Sequence, residues 1–363
     1  AADISLDIRE QGRNKRDKKG KFVRDKDGTP VSVPGTLKNC KAVGWYIEEY
    51  KIAQVSMNLT DFDATPPHVA FEEIRNKARK RGVRVSGSEL VGLIPLRAII
   101  SAGKYYLKKQ HRSTGIPTND IIHIAVKSMG LDDLAKFDPS KKIIEYRIKE
   151  LYGPLISSTV YEFINELSSD SPAPGGGSVS ALAGTLAASL TSMVANLTFG
   201  KKKWDSMYDQ MCYISEKSQS LKDELLILID ADTEAFNNVL DAYRMAHGNK
   251  DQVFQRNKRI EEAMKEASNI PFKTLQLSCE IMKYAKEAAE YGNPNSITDA
   301  GVAAEMANAG AHGAALNVKI NLKEIADIKY CQKLEKEIEQ LIEESDKALI
   351  AIRKIVLEKL SDG

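Results

Sequence analysis

The chain has few cysteines and no excess of charge of either sign. Four of its 363 residues are cysteine (Cys40, Cys212, Cys279 and Cys331), and they lie far apart without a Cys-x-x-Cys pair. This scarcity argues against a disulfide framework or a zinc site, and it favours reduced thiols in a cytoplasmic protein. The 52 Lys and Arg residues nearly balance the 50 Asp and Glu residues, which gives no reason to expect a nucleic-acid partner.

The chain also lacks a recognisable leader and a metal-binding pattern. The N-terminal sequence has no charged segment followed by an apolar one, so we predict no signal peptide. It has no initiator Met, which is consistent with processing or with a fragment. The histidines have no spacing typical of a metal site or a catalytic triad, so we predict no metal and assign structural or surface roles to His68, His111, His123, His247 and His312.

One long stretch, residues 171–200, carries no charge and raises the question of a membrane span. Its length and the three lysines that follow it would permit one. Ala, Gly, Ser and Thr dominate the stretch, and Asn196 interrupts it. We therefore predict a helix packed among other protein helices, and no membrane insertion.

The length of the chain predicts two domains, which we place at residues 1–150 and 151–363. Near the start, residues 9–29 are dense in charge and glycine, which is typical of an exposed loop; an anion-binding loop is the alternative. Residues 42–47 and 52–59 have the composition of a β-hairpin. Residues 68–80 and 96–109 have helical patterns, and residues 83–88 resemble a short strand, so the first domain is predicted to be an α+β sandwich.

The second domain is predicted to be an all-helical bundle. Its helical periodicity is interrupted at short Gly- and Pro-containing segments, and long helices joined by short turns are typical of bundles. The predicted helices cover residues 160–168, 178–199, 203–246, 251–288, 297–320 and 331–360. We recognise no internal repeat.

A glycine-rich turn precedes the uncharged helix. Gly175, Gly176 and Gly177 allow close approach of a ligand, and the helix start at Ser178 supplies unpaired N–H donors and a positive dipole end. The turn is therefore a candidate cradle for a carboxylate or a ring carbonyl. A flexible linker that ends in a serine N-cap is the competing interpretation. The absence of a lysine argues against a nucleotide P-loop.

Two acids in a second feature, residues 221–240, lie on different sides of the predicted helix. Leu221, Leu225, Leu228, Ile229, Phe236 and Val239 form one apolar stripe at about 100° per residue. Asp232 falls near the centre of that stripe, whereas Asp230 falls on the far side and is predicted to be solvated. A carboxylate in an apolar seam has a raised pKa, which suits general acid–base catalysis. A buried structural aspartate is the alternative.

A later segment combines a helix start with two amides. Ser296 and Asp299 have the spacing of a capping box. In the helix that follows, Asn317 and Asn321 are four residues apart and share a face. Buried amides are able to bind the edge of a heterocycle, although tying loops together is their commoner use.

These motifs resemble the bifunctional glutamate formimidoyltransferase–formimidoyltetrahydrofolate cyclodeaminase family of histidine degradation. Residues 173–179 are similar to the opening of its cyclodeaminase domain, residues 228–236 to the segment with its catalytic aspartate, and residues 317–322 to a later helix. The first domain resembles the second half of the transferase module, through residues 44–46, 53–56, 87–96 and 143–146.

The resemblance implies a lyase that converts 5-formimidoyltetrahydrofolate to 5,10-methenyltetrahydrofolate and ammonia. It implies Asp232 as the catalytic residue, and it implies that Gly175, Gly176, Gly177, Ser178, Asn317 and Asn321 bind the folate, with or without a polyglutamate tail. It further implies a cytoplasmic homo-oligomer built from dimers. Transferase activity is expected only if the first half of that module is supplied. A methenyltetrahydrofolate cyclohydrolase and a non-catalytic folate-binding scaffold are the alternatives.

Overall fold

The computed structural model describes residues 1–148, 153–199 and 202–361. Clustering of spatial contacts divides the chain into two compact units. The N-terminal unit comprises Ala1–Gln110 and Thr118–Lys149, and the helical unit comprises His111–Pro117 and Glu150–Gly363.

The N-terminal unit combines short helices with two antiparallel strand pairs. Its elements are α1 (Ala2–Ile8), β1 (Arg13–Asn14), β2 (Ser32–Val33), β3 (Cys40–Ile47), β4 (Ile52–Leu59), α2 (Pro67–Arg79), α3 (Leu96–Lys109), α4 (Thr118–Met129), α5 (Pro139–Lys142) and α6 (Ile144–Ile148). The predicted hairpin is confirmed as β3–β4, with Val43 opposite Ser56, and both predicted helices are confirmed as α2 and α3.

The hairpin packs one face against α1 and α2. Side chains alternate across a strand, so Cys40 and Met57 point to the same core as Ile4 of α1 and Ile74 of α2. A second apolar cluster joins α3 and α4. In the part of the unit that is described, each sheet has two strands. The α+β character is therefore confirmed, whereas the sandwich stays a prediction.

The predicted strand at residues 83–88 is wrong. This segment has no regular secondary structure. Its backbone bonds run to the ends of helices instead: Val83 N donates to Ala78 O at 3.1 Å, and Ser88 N donates to Gly130 O at 2.9 Å. A β-rich composition forms a strand only where a neighbouring strand accepts its backbone bonds, and here helix ends occupy that place.

The charge-dense run is exposed, as predicted, but it is ordered by a tandem repeat, so the expectation of no internal repeat is wrong. Residues 16–23 read Arg-Asp-Lys-Lys-Gly-Lys-Phe-Val, and residues 24–31 read Arg-Asp-Lys-Asp-Gly-Thr-Pro-Val. In each copy the aspartate (Asp17 or Asp25) accepts bonds from backbone N–H groups two and four residues later. In each copy the glycine (Gly20 or Gly28) has a positive φ.

The helical unit is a bundle, as predicted. Its helices are α7 (Pro154–Ser157), α8 (Val160–Leu167), α9 (Gly176–Asn196), α10 (Tyr208–Arg244), α11 (Lys250–Tyr291), α12 (Ile297–Leu322) and α13 (Ile328–Ser361), with 3-10 turns at Lys202–Met207 and Pro294–Ser296. The capping box expected at Ser296 is wrong, because that side chain is buried and makes no cap bond. A capping box forms instead between Thr159 and Glu162 at the start of α8.

Helix α9 lies inside the bundle because its residues are small. A Cβ added at Gly184 would lie 2.8 Å from Ser278 Oγ of α11, and one added at Gly310 of α12 would lie 2.9 Å from Ser180 O of α9. By length and composition α9 would be able to span a membrane, but two thirds of its apolar window is buried within the unit. The prediction of a buried helix is therefore confirmed, and the absence of membrane insertion stays a prediction.

Candidate active site

Asp232 of α10 lies against the N-terminal turn of α9. A Cβ added at Gly177 would overlap the Asp232 carboxylate, with 2.5 Å to Oδ2. The Ser178 hydroxyl is 3.4 Å from the same Oδ2 and donates to Ile229 O of α10 at 2.8 Å. The Asp232 carboxylate is therefore able to occupy this position only because Gly177 has no side chain.

Two opposing influences act on the Asp232 carboxyl group. Burial is the larger one and raises its pKa, because the charged form loses hydration. Hydrogen bonds from the hydroxyl and the backbone N–H of Ser178 act in the opposite direction, since both favour the ionised form. The net effect is a raised pKa, as the apolar stripe around Asp232 predicts.

The N-terminus of α9 is already occupied in part by this carboxylate. Gly175 is the N-cap, so Gly177 and Ser178 lie in the first turn. The backbone N–H of Ser178 donates a hydrogen bond to the Asp232 carboxylate. Ser178 is fully buried. Gly176 is exposed and Gly175 is partly so. A ligand in this cradle would therefore meet Gly175 and Gly176, whereas Gly177 and Ser178 position the acid.

Asn317 of α12 borders the same turn. A Cβ added at Gly176 would lie 3.1 Å from its Nδ2, and that amide donates to Gly313 O at 2.8 Å. Around Asn317 the surface is apolar and open: Leu316 is 69% exposed and Ile320 is 55% exposed. The structure thus brings together Asp232, the glycines and one of the two predicted amides.

Asn321, four residues after Asn317 on α12, bonds a neighbouring helix and not the glycine turn. Its Nδ2 donates to Ala267 O of α11 at 2.8 Å. Pro271 lies inside α11 and has no N–H to donate to that carbonyl, four residues earlier. Asn321 therefore completes the hydrogen bonding of α11, a structural role of the kind expected as the commoner one for such amides. Its partner, Ala267 O, was not predictable because it belongs to another helix.

Asp230 is also placed differently from its prediction as a solvated acid. It is half-buried, and its carboxylate accepts from Leu155 N at 2.9 Å and from Ile156 N at 3.2 Å. It thus caps the first turn of α7. Phe236, assigned to the buried stripe, is 37% exposed. Both differences arise because a single-helix wheel contains no information about which elements pack around the helix.

Among the described residues, no group of three or more His, Cys, Asp or Glu side chains is arranged to hold a metal ion. His312, on the same helix as Asn317, has its Nε2 2.8 Å from an Asp346 oxygen of α13. The four cysteines are free thiols.

Comparison with protein families identifies both units. Residues 159–340 match the family described as formiminotransferase-cyclodeaminase, and residues 1–149 match the formiminotransferase domain. The mouse formimidoyltransferase-cyclodeaminase is 34% identical over 345 residues, which is 94% of this chain and 60% of that protein. The chain thus spans about 60% of the length of the curated relatives that it matches.

Two further similarities each cover about half of the chain. The methenyltetrahydrofolate cyclohydrolase of Methylorubrum extorquens is 38% identical over 189 residues, covering 52% of this chain and 91% of that enzyme. The crystal structure of formiminotetrahydrofolate cyclodeaminase from Thermotoga maritima superposes with a TM-score of 0.51 at 28% identity, covering 56% of this chain and 98% of that one.

Proposed function

The chain belongs to the formiminotransferase-cyclodeaminase family, and on this premise we propose that its helical unit is a formimidoyltetrahydrofolate cyclodeaminase. The reaction would convert 5-formimidoyltetrahydrofolate to 5,10-methenyltetrahydrofolate and ammonia. The observation that supports it best is the carboxylate of Asp232, partly desolvated and held against Gly177 at the start of α9.

In the proposed mechanism Asp232 moves one proton twice. Folate N10 attacks the carbon of the protonated formimidoyl group, and the carboxylate accepts the N10 proton as the C–N10 bond forms. The resulting tetrahedral carbon carries an NH₂ group. Asp232 returns the proton to that nitrogen, which leaves as ammonia when its bond to carbon breaks. The ionised carboxylate then lies beside the positive charge of the methenyl product and stabilises it.

The geometry supports a proposal for the remaining residues. We assign tetrahydrofolate, with or without a polyglutamate tail, to the surface beside Gly175, Gly176 and Asn317. Gly177 and Ser178 act by positioning Asp232. For Asn321 we propose a structural role in place of the folate contact that the resemblance implies, because its amide donates to Ala267 O.

The experiment that tests this function compares Asp232→Asn with Asp230→Asn in the full chain. Asp232→Asn should lower the rate at which the 5,10-methenyl absorbance appears by about 10²-fold or more, while folate still binds. Asp230→Asn is the matched control, two residues away on the same helix, and should retain activity because its side chain caps α7. An active Asp232→Asn enzyme would disprove the assignment.

The pH dependence of unfolding shows whether Asp232→Asn is folded. Because the folded state raises the pKa of Asp232, ionising this group costs stability as the pH rises from its unfolded pKa through its folded pKa. The neutral variant should therefore be at least as stable as the wild type at pH 7. Its advantage in melting temperature should shrink as the pH falls below the raised pKa.

A methenyltetrahydrofolate cyclohydrolase is the second candidate, and the similarity to the Methylorubrum extorquens enzyme favours it. Incubating the purified protein with each substrate separates the two activities: release of ammonia from the formimidoyl compound supports the cyclodeaminase, and hydrolysis of the methenyl ring supports the cyclohydrolase. Tight folate binding without turnover of either substrate would instead indicate a scaffold.

For the N-terminal unit we propose the second half of a glutamate formimidoyltransferase module. The match to the formiminotransferase domain supports the module. Formimidoyl transfer is accordingly expected only when the first half of that module is present, and adding it in trans is the direct assay. We also propose a cytoplasmic location, which cell fractionation checks.

We further propose a homo-oligomer built from dimers. Helix α9 exposes Val179 (37%), Leu186 (45%) and Met193 (37%) at seven-residue spacing, and α12 exposes Leu316 and Ile320 beside Asn317. A second copy would cover this apolar surface and close the open side of the candidate active site.

A further inference from the structure

The segment His111–Pro117 lies between α3 and α4 in sequence but belongs to the helical unit in space. The chain leaves the N-terminal unit after Gln110, contributes this segment to the helical unit and returns at Thr118. Its middle residues Ser113, Thr114 and Gly115 are buried. We call His111–Pro117 the strap.

Helix α9 supplies two hydrogen-bond donors to the strap. The carbonyl oxygen of Gly115 accepts from Ser192 Oγ at 3.1 Å and from Asn196 Nδ2 at 2.9 Å. Ser192 is 1% exposed. Buried polar groups that converge on one carbonyl fix the position of that carbonyl, because separating them would leave donors and an acceptor unpaired.

Helix α10 holds the other side of the strap. Ser113 Oγ and Ser215 Oγ are 3.0 Å apart, and the hydroxyl of Tyr208 donates to Arg112 O at 3.1 Å. Ser215 is fully buried. Contacts from both helices therefore make the strap part of the packed unit, unlike an ordinary surface loop.

Gly115 is required here for reasons of space. A Cβ at this position would overlap both Oγ and the backbone carbonyl carbon of Ser215. The backbone of α10 is unable to move aside as the tip of a flexible side chain would. The surface of α10 therefore admits only glycine at position 115.

The strap and Asp232 lie toward opposite ends of the same helix pair. Ser178 contacts Ile229 and Asp232, whereas Ser192 bonds Gln219, so α9 and α10 run antiparallel. From Ser178 to Ser192 the distance along α9 is ~21 Å at the usual helical rise. The strap thus acts on α9 and α10 without being part of the candidate active site.

We propose that docking of the strap couples the local stability of the two units. In its docked position the strap accepts hydrogen bonds from α9 at Gly115 O, and it fixes the facing turns of α9 and α10. It also fixes the connection between α3 and α4, because a docked loop has already lost the conformational entropy that closing α3 onto α4 requires. Opening of the strap should therefore loosen both helix pairs together.

Amide hydrogen exchange of the full chain tests the coupling through Gly115→Leu. Exchange should accelerate by about tenfold or more in two places: residues 185–196 with 208–220, and the facing ends of α3 and α4. Gly248→Leu is the matched control, because Gly248 has an ordinary φ and its Cβ would meet only the end of the Gln252 side chain, at 3.4 Å. This control should exchange as the wild type does.

The pattern of exchange decides the outcome. Acceleration confined to residues 111–117, or to one helix pair only, overturns the proposal and makes the strap a passive linker. If Gly115→Leu fails to fold, Ser192→Ala combined with Asn196→Ala removes the donors to Gly115 O without overlap. That variant should show the same two-site pattern at smaller amplitude, and exchange equal to the wild type would equally refute the coupling.

Discussion

Two carboxylates on one turn of α10 have different roles because different elements lie beside them. Asp232 faces the first turn of α9 and is desolvated there, which raises its pKa. Asp230, two residues earlier, points about 200° around the helix and accepts backbone N–H groups of α7. The chemistry proposed for Asp232 thus depends on a helix that is distant in sequence.

Single alanine substitutions along the glycine turn should give a graded loss of activity. Gly175→Ala meets no protein atom, so its Cβ should disturb only the folate beside it and should cost least of the three, as a raised KM at unchanged kcat. Gly176→Ala would place its Cβ 3.1 Å from Asn317 Nδ2, at the end of a side chain that is able to move, and should cost less than tenfold. Gly177→Ala displaces the Asp232 carboxylate and should lower kcat by about 100-fold.

The order of these three effects is the decisive measurement, by steady-state kinetics on variants whose folding is verified by circular dichroism. None of the three glycines has a positive φ, so alanine adds no backbone strain. Equal losses at all three positions would mean that the turn acts through its flexibility and not through the space beside Asp232.

At the scale of elements, α11 and α12 are linked by the bond from Asn321 to Ala267 O. Asn321→Ala should destabilise the protein by about 1–3 kcal/mol, because it leaves a carbonyl that Pro271 does not satisfy. In a Pro271→Ala background the same substitution should cost clearly less, since an N–H then becomes available to Ala267 O. Folate affinity should be unchanged.

A double-mutant cycle in urea measures this coupling from the free energies of unfolding. Strict additivity of the two substitutions would show that Asn321 and Pro271 act independently. Weaker folate binding by Asn321→Ala at unchanged stability would restore the folate-binding role that the family resemblance implies for Asn321.

At the scale of the whole molecule, the exposed apolar stripe of α9 should be an interface. Leu186→Glu places a charge in the middle of that stripe and should reduce the mass of the assembly in sedimentation experiments. Ile350→Glu on α13, at a residue that is 67% exposed, is the control and should leave the assembly intact. An unchanged mass for Leu186→Glu would place the interface elsewhere.

Periodicity was sufficient for most elements and for one catalytic candidate. The bundle helices are long and are separated by Gly- and Pro-containing breaks, and α12 begins at the predicted residue, Ile297. The burial of Asp232 is predictable because an acid within an apolar stripe points toward the packed side of its helix. Helix α9 begins two residues before its predicted start, because Gly176 and Gly177 are helical although glycine is a poor helix former.

What the sequence determined by itself is local: which segments are helical, which side of α10 is buried, and where three glycines allow close approach. The tertiary structure decided what each side chain meets there. It placed Ser178 beside Asp232 and brought Asn321 Nδ2 within hydrogen-bond distance of Ala267 O. It also packed the strap around Gly115 into the helical unit. The physical reason is that periodicity arises from bonds within one element, whereas hydrogen-bond partners and excluded volume depend on residues brought together only by folding.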